Sequence, residues 1–547
     1  MKRDLSAMAE RAYDVLIVRG GVCGLCIARD AAMRGLSVAL VERDDFAHAT
    51  STASSKLIHG GLRYLKTFEL SLVRESLRER RIWELVAPHL VYPLRFLVPN
   101  YKRPGSSKRW MLRAGLTLYD MLGYDRNRLE DDDRKIPGHE VLSVEQALKH
   151  VPGLNQDRLL GAVEYWDCQM FAPERLALEC ALDADAKGAD LANWATVTEF
   201  IVQDGRVLGA VVEDRLEGGS VEIRAKAVVN AAGPWADRLL GMFAGKPSHS
   251  LIRSKGIHVI TRQLTGDVAV AFESTGGHFF ILPWRGHSLI GTTDAVYKGD
   301  PDDFAVTEAD IQAFLEVINQ GFPSAALTRE DVVHFYGGLR PLVESSPGED
   351  SYSASRRAEV VDHARVGGPV GLYSALGGKW TTARAVAEQV VDRLVAKSAS
   401  DNLRPCQTQD TTLPGGGFGG WAAFLDAQSA LHPSFDRAVV EHLARNYGSR
   451  MDAVIALATA DPELAEPIAS GRLERRAEIV FAVRSEMARS LADVIFRRTG
   501  IGTLGDPGPA ALQTVAEMVS EELGWTDAYR EEQLALVRRR FVPAVSE

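Results

Sequence analysis

Asp14-Val15-Leu16-Ile17-Val18-Arg19-Gly20-Gly21-Val22-Cys23-Gly24 reads as a buried strand running into a glycine turn and then a helix. Its spacing follows the dinucleotide fingerprint G-x-G-x-x-G, except that Arg19 stands at the first glycine. The first glycine of that pattern permits a tight turn, the second lets the backbone approach a pyrophosphate, and the third lets helix pack on strand. Gly21 and Gly24 keep their places, so one glycine function of the three is put in question.

Working outward, Val22 to Arg34 has helical character, Gly35 supplies a helix stop, and Leu36 to Val41 is a second buried strand ending in Glu42. That is a βαβ opening. Glu42 lies at the distance from Gly24 where an acidic residue binds adenosine ribose hydroxyls. Nicotinamide dinucleotides and flavin adenine dinucleotide share this half-site, and the unit alone does not choose between them. Thr50 to Tyr64 is small and polar and then turns on Gly60-Gly61, as suits a segment lying along a cofactor. A serine-rich loop explains the serines but not Lys56, His59 and Arg63.

Further along, Phe68 to Val86 reads as an amphipathic helix. Leu94 to Gly123 alternates basic and apolar pieces, including Lys102-Arg103-Pro104 and Lys108-Arg109-Trp110, which suits either an anionic lipid surface or a helix covering the core. Asp131 to Lys135 reads as a solvated turn. Short alternating segments with turns at Asp204-Gly205 and Gly218-Gly219 lead to a buried strand, Ala227 to Asn230, and a glycine turn at Gly233. Residues 255 to 340 are again strand-like. A last glycine turn, Gly377-Gly378, opens a helix reaching about Lys397. Gln407 to Gly420 reads as a linker, and the pattern beyond it is helical in Val439 to Leu457, Arg475 to Arg489 and Ala510 to Leu523.

The 547 residues exceed one hydrophobic core, and a composition 46% hydrophobic and 25% charged is that of a globular protein. A net charge of -10 argues against nucleic acid as a partner. Five cysteines make no disulfide scaffold and fit a reducing compartment. Cys23 and Cys26 lack the further ligands zinc requires, so two small side chains packed under a turn is preferred to a redox pair. There is no apolar run of signal-peptide or membrane-spanning length, and the expectation is a cytoplasmic protein, with peripheral attachment left open. No metal site is expected.

With these pieces assembled, the chain strongly resembles the FAD-dependent respiratory glycerol-3-phosphate dehydrogenases over nearly its full length. The most specific stretch is Ala53-Ser54-Ser55-Lys56-Leu57-Ile58-His59-Gly60-Gly61-Leu62-Arg63-Tyr64. Supporting it are Asn230 to Trp235, Lys255-Gly256-Ile257-His258, Ile290-Gly291-Thr292-Thr293-Asp294, Gly337-Gly338-Leu339-Arg340-Pro341, Gly377 to Thr382 and, in the helical part, Arg489 to Thr499. The chain departs from the family at Arg19, at Cys26, and at Phe171-Ala172, where a second acidic residue is more usual. It has no cysteine-rich C-terminal segment, which argues against the anaerobic multisubunit branch.

The resemblance implies an α/β FAD-binding Rossmann-like domain of the glutathione-reductase/D-amino-acid-oxidase type, an antiparallel-sheet substrate domain and an all-α C-terminal domain. Residues 1–90, 156–250 and 345–398 would form the first, 91–155 and 251–344 the second, and 399–547 the third. It implies oxidation of sn-glycerol 3-phosphate to dihydroxyacetone phosphate, hydride transfer to FAD, and membrane quinone as electron acceptor. It also implies, as partners, an anionic membrane surface at the cytoplasmic membrane and a second copy in a homodimer.

By the same resemblance Arg63, Tyr64, Arg340 and Arg356 bind substrate, with Arg357 able to trade places with Arg356. His258, Arg340 and Lys379 are the catalytic set. His258 acts as base or as a hydrogen-bonding orienter; Lys379 stabilises developing negative charge; His59 is an alternative beside the isoalloxazine. Gly20, Gly21 and Gly24 face the pyrophosphate, Glu42 the ribose, and Ser54, Ser55, Gly61, Gly233, Gly378, Thr381 and Thr382 the flavin. Two rivals remain at this point: a glycerol-3-phosphate oxidase using O2, and a flavin-poor non-catalytic homologue motivated by Arg19.

Overall fold

The computed structural model describes residues 1–65, 67–102, 108–244, 251–274, 277–343, 357–398 and 402–545. The fingerprint strand Ala12–Val18 is central to the first sheet, parallel to Val38–Val41 on one side and to Ser220–Asn230 on the other. The order runs Glu359–Asp362, Leu372–Leu376, Ser220–Asn230, Ala12–Val18, Val38–Val41, Asp190–Ala192. Their apolar runs are buried because both faces are covered, as a parallel sheet requires. Helix Val22–Arg34 packs on one face with Pro173–Ala186 and Ala383–Val395, and Gly35, at φ 95°, donates its N–H to the Ala31 and Ala32 carbonyls. The turns expected at Asp204-Gly205 and Gly218-Gly219 join Ala195–Gln203, Arg206–Asp214 and Ser220–Asn230 into an antiparallel meander.

The second sheet holds ten strands among the described residues. It is mixed rather than antiparallel throughout, since Val268–Ser274 runs parallel to Val91–Tyr101. Leu159–Met170, grouped by its place in the sequence with the cofactor domain, pairs instead with Val91–Tyr101 and Leu57–Ile58 in this sheet. An alternating strand records which face is buried but not which sheet receives its hydrogen bonds.

The C-terminal helices include Arg437–Tyr447, Met451–Ala460, Arg476–Ser485, Pro509–Leu523 and Asp527–Arg539. Gln407 to Gly420 is no free linker. Buried Arg29 donates to the Thr408 and Thr411 carbonyls at 3.2 and 2.7 Å, and Leu413 N–H donates to Val86 O at 2.8 Å. The turn at Asp131 to Lys135 is also partly interior: Arg134 is buried and donates to the carbonyls of Glu84 and Val91. Helix Lys108–Leu122 turns Leu116 and Tyr119 into the core, while Met121 and nearby Tyr124 are each 67% exposed. Arg103 and Pro104, and the side chains of Lys108, Arg109 and Trp110, lie outside the described residues. Among the described residues no helix is long and apolar enough to cross a membrane.

Candidate active site

At the end of the fingerprint strand, Arg19 adopts φ 90°, the left-handed backbone that the absent glycine would take. The turn therefore keeps its course. Its side chain is carried away from the helix: Nη1 donates to Glu42 Oε1 at 3.2 Å, and Cζ lies 5.5 Å from the Trp235 ring centroid. Glu42 accepts in addition from the backbone N–H of Gly20 at 2.6 Å and of Asp44 at 2.9 Å. A Cβ on Gly24 would lie 2.0 Å from the Arg19 carbonyl oxygen, and one on Gly20 2.8 Å from Phe46. Gly21 begins helix Val22–Arg34 with no side-chain cap. A turn that a Cβ would fill, a helix N-terminus whose cap residue has no side chain and an acid at the second strand's end fit an FAD dinucleotide. Gly233, at φ 52°, follows the neighbouring strand Ser220–Asn230. Cys23 and Cys26 belong to this packing, and burial pushes the Cys23 thiol up to about 11, away from the thiolate a redox pair needs.

The segment Thr50 to Tyr64 ties this turn to two other groups of residues. Ser51 Oγ accepts from Val22 N–H at 2.9 Å, and Ser51 O from Trp380 Nε1 at 2.9 Å. Thr50 Oγ1 donates to Leu339 O at 2.7 Å, Tyr336 Oη to Ser54 O at 2.7 Å, and Ser54 Oγ accepts from Lys56 N–H at 3.1 Å. Ser55 Oγ is 2.8 Å from His258 Nε2.

His258 and Arg340 are set by strand register. In Leu251–Arg262 the residues Ser254, Gly256 and His258 share one face by alternation, and opposite them on Val332–Val343 stand Arg340, Gly338 and Tyr336. His258 faces Gly291 on its other neighbour, His287–Gly291. The glycines make room: a Cβ on Gly291 would be 2.0 Å from His258 Cδ2, and one on Gly256 2.1 Å from Arg340 Nη2. Arg340 donates to Ser254 Oγ at 2.8 Å, Thr292 Oγ1 at 2.6 Å and Thr293 O at 3.0 Å, which fixes the plane of its guanidinium. His258 is 2% exposed and stacks on Tyr336 at 4.9 Å. Burial, then the charges of Arg340 and Lys56, hold its pKa well below the ordinary imidazole value. Such an imidazole is neutral at pH 7.

The third group surrounds Lys379. Its Nζ lies 4.8 Å from the Tyr64 ring centroid, and Gly61, at φ 77°, keeps the Tyr64 ring close, since a Cβ there would be 2.4 Å from it. Gly377 and Gly378, at φ 66° and 88°, make the turn before Lys379. Thr381 Oγ1 accepts from His59 N–H at 3.1 Å, Thr381 O accepts from Trp83 Nε1 at 3.0 Å, and Thr382 Oγ1 donates to Lys379 O at 3.4 Å. His59 is thereby placed beside Thr381 through its backbone. Arg63 is exposed, 5.2 Å from the Tyr64 ring centroid. Arg356 lies outside the described residues, and Arg357 donates to Ser71 Oγ at 2.8 Å.

Comparison with known proteins now decides the family. The FAD dependent oxidoreductase family matches residues 14–393, and the C-terminal domain of alpha-glycerophosphate oxidase matches residues 406–530. Glycerol-3-phosphate dehydrogenase of Synechocystis sp. is 35% identical over 97% of both chains. The chain belongs to the FAD-dependent glycerol-3-phosphate dehydrogenase family. D-erythritol 1-phosphate dehydrogenase of Brucella abortus is also 35% identical, over 89% of this chain and 94% of its own. The crystal structure of glycerol-3-phosphate dehydrogenase from Bacillus halodurans complexed with FAD superposes with a TM-score of 0.77 at 30% identity, covering 98% and 95% of the two chains. FAD is the cofactor of this family member, and the flavin-poor reading of Arg19 falls.

Several residues that build the site carry no role in the sequence reading. Asp167 is 2% exposed and accepts from Arg80 at 2.7 Å, from Tyr119 Oη at 2.8 and 2.9 Å, and from Gly60 N–H at 3.2 Å, so it anchors the Gly60-Gly61 turn. Ser254, Thr292 and Tyr336 hold Arg340 and His258. The signal for them was present in the period-two spacing Ser254, Gly256, His258 and Tyr336, Gly338, Arg340. Asp167 had no such signal, because its partners come from distant segments.

Proposed function

We propose that this chain oxidises sn-glycerol 3-phosphate to dihydroxyacetone phosphate and passes the electrons to membrane quinone, at the cytoplasmic face of a membrane. When bound, FAD supplies the hydride acceptor. The observation that carries the reading is the pairing of a buried neutral imidazole with a fixed guanidinium on adjacent strands, Gly291 and Gly256 giving the two side chains the room they occupy. His258 takes the proton of the C2 hydroxyl, its Nε2 exchanging the contact with Ser55 Oγ for the substrate hydroxyl. Arg340 binds the hydroxyl oxygen or the phosphate through its fork, and Arg63, Tyr64 and Arg356 complete the hold on the dianionic end. Lys379, beside Tyr64, stabilises negative charge as it develops. Gly20, Gly21, Gly24 and Glu42 hold the dinucleotide, and Ser54, Ser55, Gly61, Gly233, Gly378, Thr381 and Thr382 the flavin end.

Anaerobic addition of sn-glycerol 3-phosphate to the flavin-loaded protein should bleach the flavin absorbance stoichiometrically. Faster bleaching by D-erythritol 1-phosphate would move the substrate to the longer polyol phosphate. Quinone reduction outpacing peroxide formation supports the dehydrogenase over the oxidase. Exposed Phe68, at 84%, stands with Met121 and Tyr124 among the apolar side chains available to a lipid surface. Sedimentation with anionic but not neutral vesicles supports the membrane partner, and light scattering at twice the monomer mass supports the homodimer.

A further inference from the structure

A column of alternating rings and cations runs from buried His258 to half-buried Arg285 and Phe171. The His258 ring stacks on Tyr336, with centroids 4.9 Å apart and planes at 17°. Lys56 Nζ lies 5.1 Å from the centroid of that same Tyr336 ring and 4.6 Å from that of Trp284. Arg285 Cζ follows, 4.9 Å from Trp284 and 4.3 Å from Phe171. The backbone fixes the column: Lys56 O accepts from Met170 N–H at 2.7 Å, and Trp284 Nε1 donates to Phe171 O at 3.0 Å.

Lys56 is 2% exposed. An ammonium buried between two aromatic faces keeps part of its hydration energy as cation–π attraction, but its field is screened far less than a surface charge's. The charged and titratable groups facing it are Glu174, which is buried, Arg285, His258 and His334. His258 in turn faces Arg340, Lys56 and Tyr336, with Ser55 on its Nε2.

We propose that Lys56 is a positioning residue for the proton acceptor: its charge, seated on the Tyr336 ring that stacks on His258, keeps the imidazole unprotonated while the substrate is bound. The inference rests on His258 as the base, and adds a residue whose ammonium sits on the Tyr336 and Trp284 rings rather than in the hydrogen bond to Ser55. Burial, opposed by Glu174 and reinforced by Arg285, lowers the Lys56 pKa to about 8, so the ammonium form predominates at pH 7. Removing it leaves Arg340 as the cation beside His258.

The test is a titration of the flavin-loaded full chain carrying 13C-labelled histidine, with the His258 resonance assigned by its loss in His258→Asn. Lys56→Met and Lys56→Gln should each raise the His258 titration midpoint by about one pH unit, whereas Lys56→Arg should stay near the unaltered protein. Measuring both neutral variants separates a packing failure in one from loss of the charge. The acid limb of kcat/KM should move upward by the same amount. An unchanged midpoint in both neutral variants would overturn the proposal. A midpoint that moves while the acid limb stays put would support Lys56 acting on His258 and overturn His258 as the base.

Discussion

Arg19 pays in backbone strain for a place that glycine fills freely, a cost of about 1–2 kcal/mol for an L-residue with positive φ. Its guanidinium occupies Oε1 of Glu42, the carboxylate we propose as the ribose partner. Arg19→Gly should therefore tighten FAD binding about tenfold, or about 1.4 kcal/mol, in a fluorescence titration of the cofactor; weaker binding would make the guanidinium an FAD ligand. Its presence was plain in the sequence, but its direction was not, because nothing local brings Glu42 and Trp235 to it. At the same scale, His258→Asn should lower kcat by about 10²–10⁴-fold with a small change in thermal stability. Because the His258 pKa lies well below its ordinary value, kcat/KM should stay flat as pH falls from 7 through about 6.5. An acid limb centred there would contradict the neutral, buried imidazole.

Among the elements, three adjacent strands form the chemical surface, and glycine is required where a neighbour's side chain lies across the strand. A Cβ at Gly291 meets the His258 ring at 2.0 Å, while its own strand pairing needs no glycine conformation. Gly291→Ala should thus displace the imidazole and lower kcat by about 10²-fold, with overpacking costing about 1–3 kcal/mol in urea unfolding. Activity at the unaltered level would show that the ring has room to move. The motifs carrying Gly256, Gly291, Gly338 and Arg340 were legible one by one. Their register was not, since which residues face each other across strands depends on pairings between segments far apart in the chain.

For the molecule as a whole, buried ion pairs weld the C-terminal helices to the first sheet. Asp45, three residues beyond Glu42, accepts from Arg497 at 2.6 Å, Arg498 at 2.8 and 2.9 Å, and Asn193 at 2.9 Å. Both guanidiniums hold its carboxyl below the ordinary range despite complete burial. Asp45→Asn should cost about 3–5 kcal/mol in unfolding free energy, because buried Arg498 loses its counter-charge and Arg497 keeps only Asp493, at 2.6 Å. A change under about 1 kcal/mol, within the range of an exposed pair, would show that the junction is hydrated. Histidines set the acid response: His48, His89, His258 and His334 have lowered pKa values, His334 to about 4, whereas His442 beside Glu478 is raised. Between about 6.5 and 4 the unfolded chain binds protons that a folded, neutral His334 refuses, so stability rises with pH across that window. His442 contributes the opposite slope. The buried carboxyls that burial pushes up, Glu84 and Glu179 among them, share that opposite slope, so the unfolding free energy of the unaltered protein relative to His334→Asn should fall as pH drops from about 6.5 to about 4, and a flat difference would refute the neutral burial of His334.

The sequence by itself determined the βαβ opening, a dinucleotide half-site and the helical C-terminal part, because these depend on local periodicity, glycine turns and short motifs, while FAD and the roles of His258, Arg340 and Lys379 entered through the resemblance to the family. Only the tertiary structure decided that Leu159–Met170 joins the second sheet, that Gln407 to Gly420 is packed, that Asp167 anchors the Gly60-Gly61 turn, and that Lys56 shares the Tyr336 ring with His258. Each of those facts is a meeting of groups from separate segments. Hydrogen-bond partners and the local dielectric arise only when the chain has closed around them, and they decide whether a lysine or an aspartate is a surface charge or part of a mechanism.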